Sequence, residues 1–413
     1  MKRRVVITGM GALTPIGHNP KELWTAVKAG QCGIDFIKHF DTSKHKVKIA
    51  AEIKNFNMDA YIEKRDAKKM DLYCQYAVVS AKQAFADSGL DAAKIDPQRF
   101  GVIYSSGVGG IGTMEREHSR ALEKTHDRVS PFFVPMLIVN MGAGCIAIEL
   151  GAKGMCTSVV TACASATNAI GDAFRHIRDG YAEIMCTGGS EASVTELGIG
   201  GFTSMKALTE CNDPKRASIP FDKERSGFVM GEGSGALILE ELEHAKARGA
   251  HIYAEIAGYG ATCDAFHMTL PSPDGNGGAR AMQGALEDAG VTREQVGYIN
   301  AHGTSTPPND RGETAAIKTV FGDHAYKLGV SSTKAMTGHL LGGSGAVEAI
   351  ITAKALQEGF LPATIHYEVP DPECDLDIIP NIGRQEPIEY AMSNSLGFGG
   401  HNATLLLKKY KGD

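Results

Sequence analysis

The sequence repeats the stretch Val5-Val6-Ile7-Thr8-Gly9-Met10-Gly11-Ala12 in the form Ala254-Glu255-Ile256-Ala257-Gly258-Tyr259-Gly260-Ala261. Each stretch is a short apolar run that ends in Gly-x-Gly-Ala. Glycines and Pro15 interrupt the first run, so it is predicted to be a strand rather than a signal peptide. Similar segments so far apart in one chain indicate duplicated structural units.

Three more pairs of similar segments follow in the same order. They match 84–90 with 285–291, 100–107 with 296–303, and 169–179 with 348–358. The first pair is predicted to be two helix ends, because Gly89 and Gly290 can adopt the left-handed conformation that closes a helix. The second pair is predicted to be buried strands that run into turns. Two similar halves are therefore expected.

The alternation of strands and helices in each half predicts an α/β fold with largely parallel sheets. We divide the chain into halves 1–249 and 250–413, the first with extra material at about 30–80 and 110–160. No Pro- or Ser-rich linker separates them, so one compact unit is expected. Functional groups gather at the carboxyl ends of parallel strands, where Ser106 and His302 occupy equivalent positions.

The composition excludes several classes of protein. Hydrophobic residues make up 43% of the 413 residues and charged residues 22%, which suits a large buried core. A net charge of −6 argues against nucleic-acid binding. The nine cysteines form no CxxC pair, as expected for a reduced cytoplasmic protein. No run of about 18 apolar residues suggests a membrane span.

The sequence contains neither a complete dinucleotide-binding motif nor a complete metal-binding motif. The segment Gly107-Val108-Gly109-Gly110-Ile111-Gly112 matches G-x-G-x-x-G, but a polar helical stretch, 115–120, follows it instead of a second strand that ends in an acidic residue. An NAD-linked oxidoreductase is therefore disfavoured. The histidines lack ligand spacing such as H-x-x-x-H, and none is near a paired cysteine, so no catalytic transition metal is expected.

One cysteine lies where a nucleophile would be activated. The segment Val159-Val160-Thr161-Ala162-Cys163-Ala164-Ser165-Ala166-Thr167 predicts a strand, a sharp turn and a helix whose buried face includes Ile170, Phe174 and Ile177. Backbone N–H groups and the helix dipole at such a turn favour a thiolate, which predicts a lowered pKa for Cys163. On this context alone, a buried structural cysteine fits the sequence as well as a nucleophile does.

Two later segments each add a histidine. The first is Asn300-Ala301-His302-Gly303-Thr304-Ser305-Thr306-Pro307-Pro308-Asn309-Asp310, at a predicted strand end. The second is Val330-Ser331-Ser332-Thr333-Lys334-Ala335-Met336-Thr337-Gly338-His339, which precedes the glycine-rich start of a helix at 342–346. Either histidine alone is more often structural than functional.

Together with the tail Ser393-Asn394-Ser395-Leu396-Gly397-Phe398-Gly399-Gly400-His401-Asn402, these segments resemble the β-ketoacyl-acyl-carrier-protein synthases, the condensing enzymes that elongate fatty acids. The resemblance runs from about Arg3 to Lys408 and is nearest to the type II branch. It implies a thiolase-like fold of two duplicated βαβαβ-type halves in five layers, αβαβα. It also implies a homodimer that uses acyl- and malonyl-loaded carrier protein as partners.

The resemblance implies a catalytic set of Cys163, His302, His339 and Lys334. Cys163 would accept the acyl chain, and the backbone N–H groups of Cys163 and Phe398 would hold the oxyanion. Two neutral imidazoles would then stabilise the enolate that forms when malonyl carrier protein loses CO2. Lys334 would support the histidines electrostatically.

The resemblance assigns further roles to residues around this set. Glu348 would order the region, Thr304 and Thr306 would bind the phosphopantetheine arm, and Phe398 would act as a gate between mobile glycines. No cofactor would be required, although Na⁺ or K⁺ would be held structurally by Asn300, Ala301, Glu348, Ser393 and Asn394. A cationic run on one side of a predicted helix would dock the acidic carrier protein, namely Lys64, Arg65, Lys68 and Lys69.

Several alternatives stay open at this point. A type I synthase or a stand-alone polyketide ketosynthase would share the Cys-His-His set. A type III synthase would carry asparagine in place of His339, and a thiolase would carry a second cysteine in the loop around Phe398. A non-catalytic chain-length partner subunit would lack Cys163. A type III synthase, a thiolase and a non-catalytic partner subunit are therefore disfavoured.

Overall fold

A computed structural model describes residues 2–412 of the chain. The strands are β1 (Val5–Leu13), β2 (Asp35–Phe36), β3 (Ile49–Ala50), β4 (Phe100–Ser105), β5 (Cys156–Thr157), β6 (Ile184–Glu191), β7 (Gly233–Glu241), β8 (Ala254–Cys263), β9 (Val296–Asn300), β10 (Gly329–Ser331), β11 (Phe360–Leu361), β12 (Arg384–Gln385), β13 (Tyr390–Gly397) and β14 (His401–Lys409).

The α-helices are α1 (Pro20–Lys28), α2 (Lys64–Ala67), α3 (Leu72–Ser88), α4 (Ile111–Glu123), α5 (Phe133–Leu137), α6 (Met141–Leu150), α7 (Ser165–Arg178), α8 (Glu196–Ser204), α9 (Leu242–Ala247), α10 (Asn276–Ala289), α11 (Pro307–Phe321), α12 (Lys334–Thr337) and α13 (Ser344–Glu358). Short 3₁₀ turns precede α7 and α13, at Ala162–Ala164 and Leu341–Gly343.

Ten strands form one sheet in the order β10-β9-β13-β14-β8-β1-β7-β6-β4-β5. The order outward from the centre is the same on both sides, with β1, β7, β6, β4 and β5 corresponding to β8, β14, β13, β9 and β10. The directions correspond as well: in each half the outer three strands are parallel and the inner pairs antiparallel. The duplication is confirmed, but the prediction of largely parallel sheets is wrong for the centre.

The repeated stretch that begins the sequence lies where the two halves meet. β1 and β8 pair antiparallel through Val5–Ile7 and Ala254–Ile256. The glycines of this repeat allow a helix to cross each strand at close range. A Cβ on Gly11 would lie 1.9 Å from the carbonyl oxygen of Ser80 in α3, and one on Gly260 would lie 1.9 Å from that of Ala281 in α10. Any side chain there would push the helix off the sheet.

The helices divide the fold into layers. α3 and α6 pack side by side on the outer face of the first half-sheet, and α10 packs on the outer face of the second with α11. α7 and α13 lie between the half-sheets and contact strands of both. The order is therefore helix, sheet, helix, sheet, helix, as the α/β thiolase-like expectation required. The largest hydrophobic core includes residues of both halves, while the division at 249/250 stays a prediction.

The predicted ends of two helices are confirmed, whereas the strand predicted just before Cys163 is wrong. Gly89 and Gly290 close their helices with φ of 65° and 64°. The paired helices predicted from 169 and 348 begin four residues earlier, at Ser165 and Ser344. The strand predicted at 159–161 is wrong: β5 ends at Thr157 and the chain is irregular up to the turn. In the part of the chain described, no helix has the length and apolar character to cross a membrane.

Candidate active site

Cys163 lies in a tight turn that joins the end of β5 to α7. Ala162, directly before it, has φ of +50°, a left-handed conformation that costs a non-glycine residue of the order of 1–3 kcal/mol. Ser165 holds the turn: its hydroxyl accepts a hydrogen bond from the Thr161 N–H at 2.9 Å and donates to the Ala162 carbonyl at 2.6 Å. The strained turn presents the thiol at the start of α7, as predicted.

The expectation of a lowered pKa for Cys163 is wrong in this structure. The side chain is only 7% exposed, and burial raises its pKa to about 12. The positive charge of Lys334 opposes this shift, as do the backbone N–H groups of Phe398 and of Cys163 itself, whereas the charge of Glu191 adds to it. Desolvation outweighs the helix terminus, so the resting group is a thiol.

The backbone around Cys163 brings two N–H groups to one place. Gly397 packs so closely that a Cβ there would lie 3.3 Å from the Cys163 nitrogen and 2.6 Å from the Thr161 carbonyl oxygen. The next residue is Phe398, whose N–H is directed at the Cys163 sulfur. Two converging N–H donors beside a nucleophile can bind a developing oxyanion.

His302 follows the carboxyl end of β9 and is 2% exposed. Its backbone N–H donates to Glu313 at 2.8 Å, and its carbonyl accepts from Lys334 Nζ at 2.7 Å. Lys334 Nζ also lies 3.4 Å from His302 Nδ1. An ammonium group donating toward Nδ1 leaves the proton of the neutral ring on Nε2.

His339 enters the site from the loop between α12 and α13. Its backbone is fixed between Val229 and Gly231, with hydrogen bonds of 2.8 and 2.9 Å. Its Nδ1 lies 2.9 Å from the Ser344 hydroxyl, while its buried Nε2 has no hydrogen-bond partner among residues 2–412. The ring also packs edge-on against Phe228, with centroids 5.2 Å apart.

The three side chains converge although their sequence positions are far apart. One ligand atom each from Cys163, His302 and His339 lies within 4.8 Å of the others, and the imidazole centroids are 5.2 Å apart. Burial and the charge of Lys334 lower the pKa of both histidines well below the usual value. Both imidazoles are therefore neutral at physiological pH and can donate hydrogen bonds without carrying charge.

Lys334 forms a buried ion pair with Glu348 behind the histidines. Their side chains are 1% and 4% exposed. Burial raises the pKa of Glu348, and the ammonium of Lys334 opposes the shift. The structure thus brings both residues to the site, as the sequence suggested.

A pocket of about 170 Å³ opens onto the three side chains. Thr304, Thr306 and Phe398 line it, and the two threonine hydroxyls lie 2.9 Å apart. Phe398 is half-buried against Phe202 with centroids 6.2 Å apart. Gly399, with φ of +85°, follows it, so the loop bends where only glycine is unstrained.

The residues suggested for a monovalent cation are all buried. Three of their oxygen atoms lack a hydrogen-bond partner in the described part of the chain: Asn300 Oδ1, Ser393 Oγ and Glu348 Oε2. The side chain of Asn394 is already bonded to Glu313 and Thr404. Unpaired, buried oxygen atoms fit a hard cation such as Na⁺ or K⁺.

Three residues of the cationic run suggested for docking are exposed and Lys69 is partly buried, and the run is not on one helix. α2 ends at Ala67, so Lys68 and Lys69 fall just beyond it. Lys64 lies 3.2 Å from Asp59, and Lys69 lies 2.7 Å from Asp66, so acids of this chain already neutralise two of the four cations.

Sequence reasoning missed several residues of the site, among them Ser344 and Phe228, which contact His339. Glu313 in α11 holds the backbone N–H groups of His302 and Gly303, both at 2.8 Å, and burial raises its pKa to about 7. The sequence signal for Glu313 was an acidic residue among small residues, about two helical turns into the helix that follows the His302 loop. Lys206 is exposed at the pocket rim, and nothing in its sequence surroundings distinguishes it.

Comparisons with known proteins agree with this geometry. The profile of the β-ketoacyl synthase N-terminal domain matches residues 2–245, and that of the C-terminal domain matches 253–368. Two relatives are both named 3-oxoacyl-[acyl-carrier-protein] synthase 2. One from Staphylococcus aureus is 52% identical over 409 residues, 99% of each chain. One from Synechocystis sp. is 52% identical over 411 residues, with the same coverage.

Solved structures share the whole fold. A β-ketoacyl synthase from Burkholderia phymatum is 36% identical, with a TM-score of 0.91 and complete coverage of both chains. A type II polyketide ketosynthase, in complex with its acyl-carrier protein and bound to the hexaketide, is 35% identical with the same TM-score and coverage. This chain belongs to the β-ketoacyl synthase family.

Proposed function

We propose that the protein elongates acyl chains by condensing an acyl-enzyme with malonyl-acyl-carrier protein, giving a 3-oxoacyl-acyl-carrier protein two carbons longer. One observation carries the proposal: a buried thiol and two neutral imidazoles converge within 4.8 Å at the base of one pocket. The 52% identity to the 3-oxoacyl-[acyl-carrier-protein] synthases 2 supports fatty-acid elongation over a polyketide role, for which the solved relative is 35% identical.

In the first half-reaction, the Cys163 sulfur attacks the thioester carbonyl of an acyl carrier protein. The N–H groups of Cys163 and Phe398 stabilise the tetrahedral oxyanion. The carrier thiolate leaves and takes up the proton that the cysteine loses, so no net proton is exchanged. Because the resting thiol has a pKa of about 12, loss of this proton is coupled to attack.

In the second half-reaction, the malonyl carboxylate leaves as CO2 and the electron pair moves onto the thioester oxygen. Nε2–H groups of His302 and His339 donate to this enolate oxygen, each worth about 3–4 kcal/mol. Lys334 and the Ser344 hydroxyl favour this tautomer by donating to the two Nδ1 atoms. The carbanion then attacks the acyl-enzyme carbonyl and the C–S bond to Cys163 breaks. The released thiolate takes one proton from solvent, so this half-reaction consumes one proton.

Other residues would serve the substrate and the fold. Thr304 and Thr306 would bind the phosphopantetheine arm, and Phe398 would gate the acyl chain. Asn300, Ala301, Ser393, Asn394 and Glu348 would hold a structural Na⁺ or K⁺, which would offset buried negative charge. No cofactor enters the proposed chemistry.

Carrier protein would dock on Lys64, Arg65, Lys68 and Lys69. Charge reversal at Arg65 and Lys68 should raise the KM for carrier protein at low salt, whereas Lys94→Glu, at another exposed lysine, should not. An unchanged KM in the double variant would count against docking here.

A homodimer is proposed from the apolar side chains exposed in the first half's insertion. Phe132, Val134 and Ile138 are 41%, 58% and 40% exposed. Such surface suits a subunit interface. Sedimentation of Val134→Glu should then show a monomer, and an unchanged dimer would contradict this location.

The test of the proposed function is mass spectrometry after incubation with an acyl-carrier-protein thioester. A covalent acyl adduct on Cys163 is expected in the native protein. It should be absent in Cys163→Ser and retained in Cys156→Ser, which alters an exposed cysteine outside the pocket. No adduct, or one on another cysteine, would overturn the proposal. A chain-length series would then define the acyl preference.

A further inference from the structure

The pocket base holds a set of groups that metal ions bind. Thiolates and imidazoles are common zinc ligands, and a zinc site with three protein ligands leaves a fourth position open for water or a ligand. The Sγ of Cys163 and one nitrogen each of His302 and His339 lie within 4.8 Å of one another. Positions 163, 302 and 339 have no metal-ligand spacing in the sequence, and it is the fold that brings their ligand atoms within range of one ion.

A second observation points to a ligand. The Nε2 of His339 is buried and has no hydrogen-bond partner within residues 2–412, while its residue lines the pocket. Its Nδ1 faces the Ser344 hydroxyl at 2.9 Å. A hydroxyl can accept as well as donate, so it can orient the ring with a lone pair on Nε2, as ligating histidines require.

The distances allow coordination with small movements. Zn–S and Zn–N bonds of about 2.3 and 2.0 Å place tetrahedral ligand atoms about 3.3–3.6 Å apart. The three groups therefore need to close by at most about 1.5 Å. The pocket volume of about 170 Å³ leaves room for the ion and one water molecule.

We propose that this site binds a thiophilic divalent cation such as Zn²⁺ through Cys163 Sγ and one ring nitrogen each of His302 and His339, and that the bound ion blocks attack by the thiol. Binding replaces the thiol proton by the metal, so one proton is released for each ion bound. Each imidazole contributes a lone pair and keeps its other proton.

The bound state is incompatible with turnover. Enolate stabilisation needs a proton on each Nε2, whereas coordination needs a lone pair there. Lys334 lies 3.4 Å from His302 Nδ1. Its ammonium opposes the Nδ1–H tautomer that coordination through Nε2 needs as well as a second positive charge, so the affinity should be below that of a structural zinc site. The inference goes beyond the proposed function, because it requires only the three ligands.

The test is a Co²⁺ titration of the reduced, metal-free protein, monitored by the near-ultraviolet charge-transfer absorption of a thiolate–Co²⁺ bond. The native protein and Cys156→Ser should both show the band with release of one proton per ion. Cys163→Ser should lack the band, and His339→Ala should bind more weakly by more than the roughly 10- to 100-fold typical of losing a residue that only supports a ligand. Circular dichroism checks that each variant is folded.

Two results would overturn the inference. One is a native protein that shows no band, and the other is a Cys163→Ser variant that keeps it. Zn²⁺ should also slow alkylation of Cys163 by iodoacetamide, and a chelator should restore the rate. This readout uses no carrier protein, so a failure of metal binding and a failure of the proposed condensation are told apart.

Discussion

The fold builds the same turn twice, and only one copy carries a nucleophile. In the first half, Ala162 at φ +50° precedes Cys163, and α7 begins two residues later at Ser165. In the second half, Leu341 at φ +45° precedes Gly342, and α13 begins at Ser344. Gly342 therefore occupies the position equivalent to Cys163.

The difference follows from what packs against each turn. A Cβ on Gly342 would lie 2.1 Å from the backbone nitrogen of Gly107, so the loop after β4 fills the space that a side chain would need. Cys163 instead faces the open pocket. The duplication thus supplied two equivalent turns, and the packing of the halves left room for a nucleophile at one.

At the strand ends, in contrast to the turns, it is the second half that carries the functional side chain. After β4, Ser106 donates to the buried Glu191 at 2.8 Å and takes a structural role. After β9, His302 occupies the equivalent position and faces the pocket, supported by Glu313 and by the ion pair of Lys334 with Glu348. The first half provides the nucleophile on a turn held by backbone and hydroxyl groups, and the second provides imidazoles held by buried charges.

The largest expected effect comes from breaking the buried ion pair of the second half. Lys334→Met leaves Glu348 buried without its partner, which should lower the free energy of unfolding by about 3–5 kcal/mol. Urea denaturation measures it. The double variant Lys334→Met/Glu348→Leu should recover most of that stability without recovering condensation. If the single variant were as stable as the native protein, the pair would not support the site.

Glu313 should give the second half a pH-dependent stability. Burial raises its pKa from 4.5 to about 7. The stability that Glu313 contributes is then fully present below pH 4.5, where its carboxyl is protonated in both the folded and the unfolded protein. This stability is lost as pH rises through about 7. The unfolding free energy should fall by about 3 kcal/mol more in the native protein than in Glu313→Gln over this range. Glu287→Gln, an exposed control, should follow the native curve; parallel curves for Glu313→Gln would refute the assignment.

The smallest effect tests the packing of the turn in the second half. Gly342→Ala should destabilise the protein by about 1–3 kcal/mol, because the backbone of Gly107 has to move. Gly284→Ala in α10 is the matched control, since its Cβ would make an ordinary contact at 3.6 Å with Gly260 Cα. It should stabilise the helix by about 0.5–1 kcal/mol. Equal thermal shifts for the two variants would contradict the packing argument.

The sequence predicted what local chemistry and repetition determine. Gly-x-Gly marked β1 and β8 because helices cross them closely, and the family resemblance of the segments around Cys163, His302 and His339 indicated the site. Strand direction was mispredicted for two reasons. β7 pairs antiparallel with β6 after the long connection 192–232, which no local pattern records, and β13 and β14 form a hairpin across residues 398–400. The pKa of Cys163 was mispredicted because burial depends on the packed halves. Glu313 was missed because its hydrogen-bond donors are backbone N–H groups, which nearly every residue has.

The two halves divide the chemistry: the first supplies the nucleophile of acyl transfer, and the second supplies the imidazoles that stabilise the enolate, together with one oxyanion donor at Phe398. Release of labelled CO2 from malonyl-acyl-carrier protein separates the two steps. The measurement compares Cys163→Ser with His302→Ala and His339→Ala, each checked for folding by circular dichroism.

Cys163→Ser should still release CO2 while forming no 3-oxoacyl product, because both imidazoles remain in place. Each histidine variant should release CO2 about 10²- to 10³-fold more slowly, the usual cost of losing one oxyanion donor. Loss of CO2 release in Cys163→Ser, together with full release in the histidine variants, would contradict the division of labour between the halves.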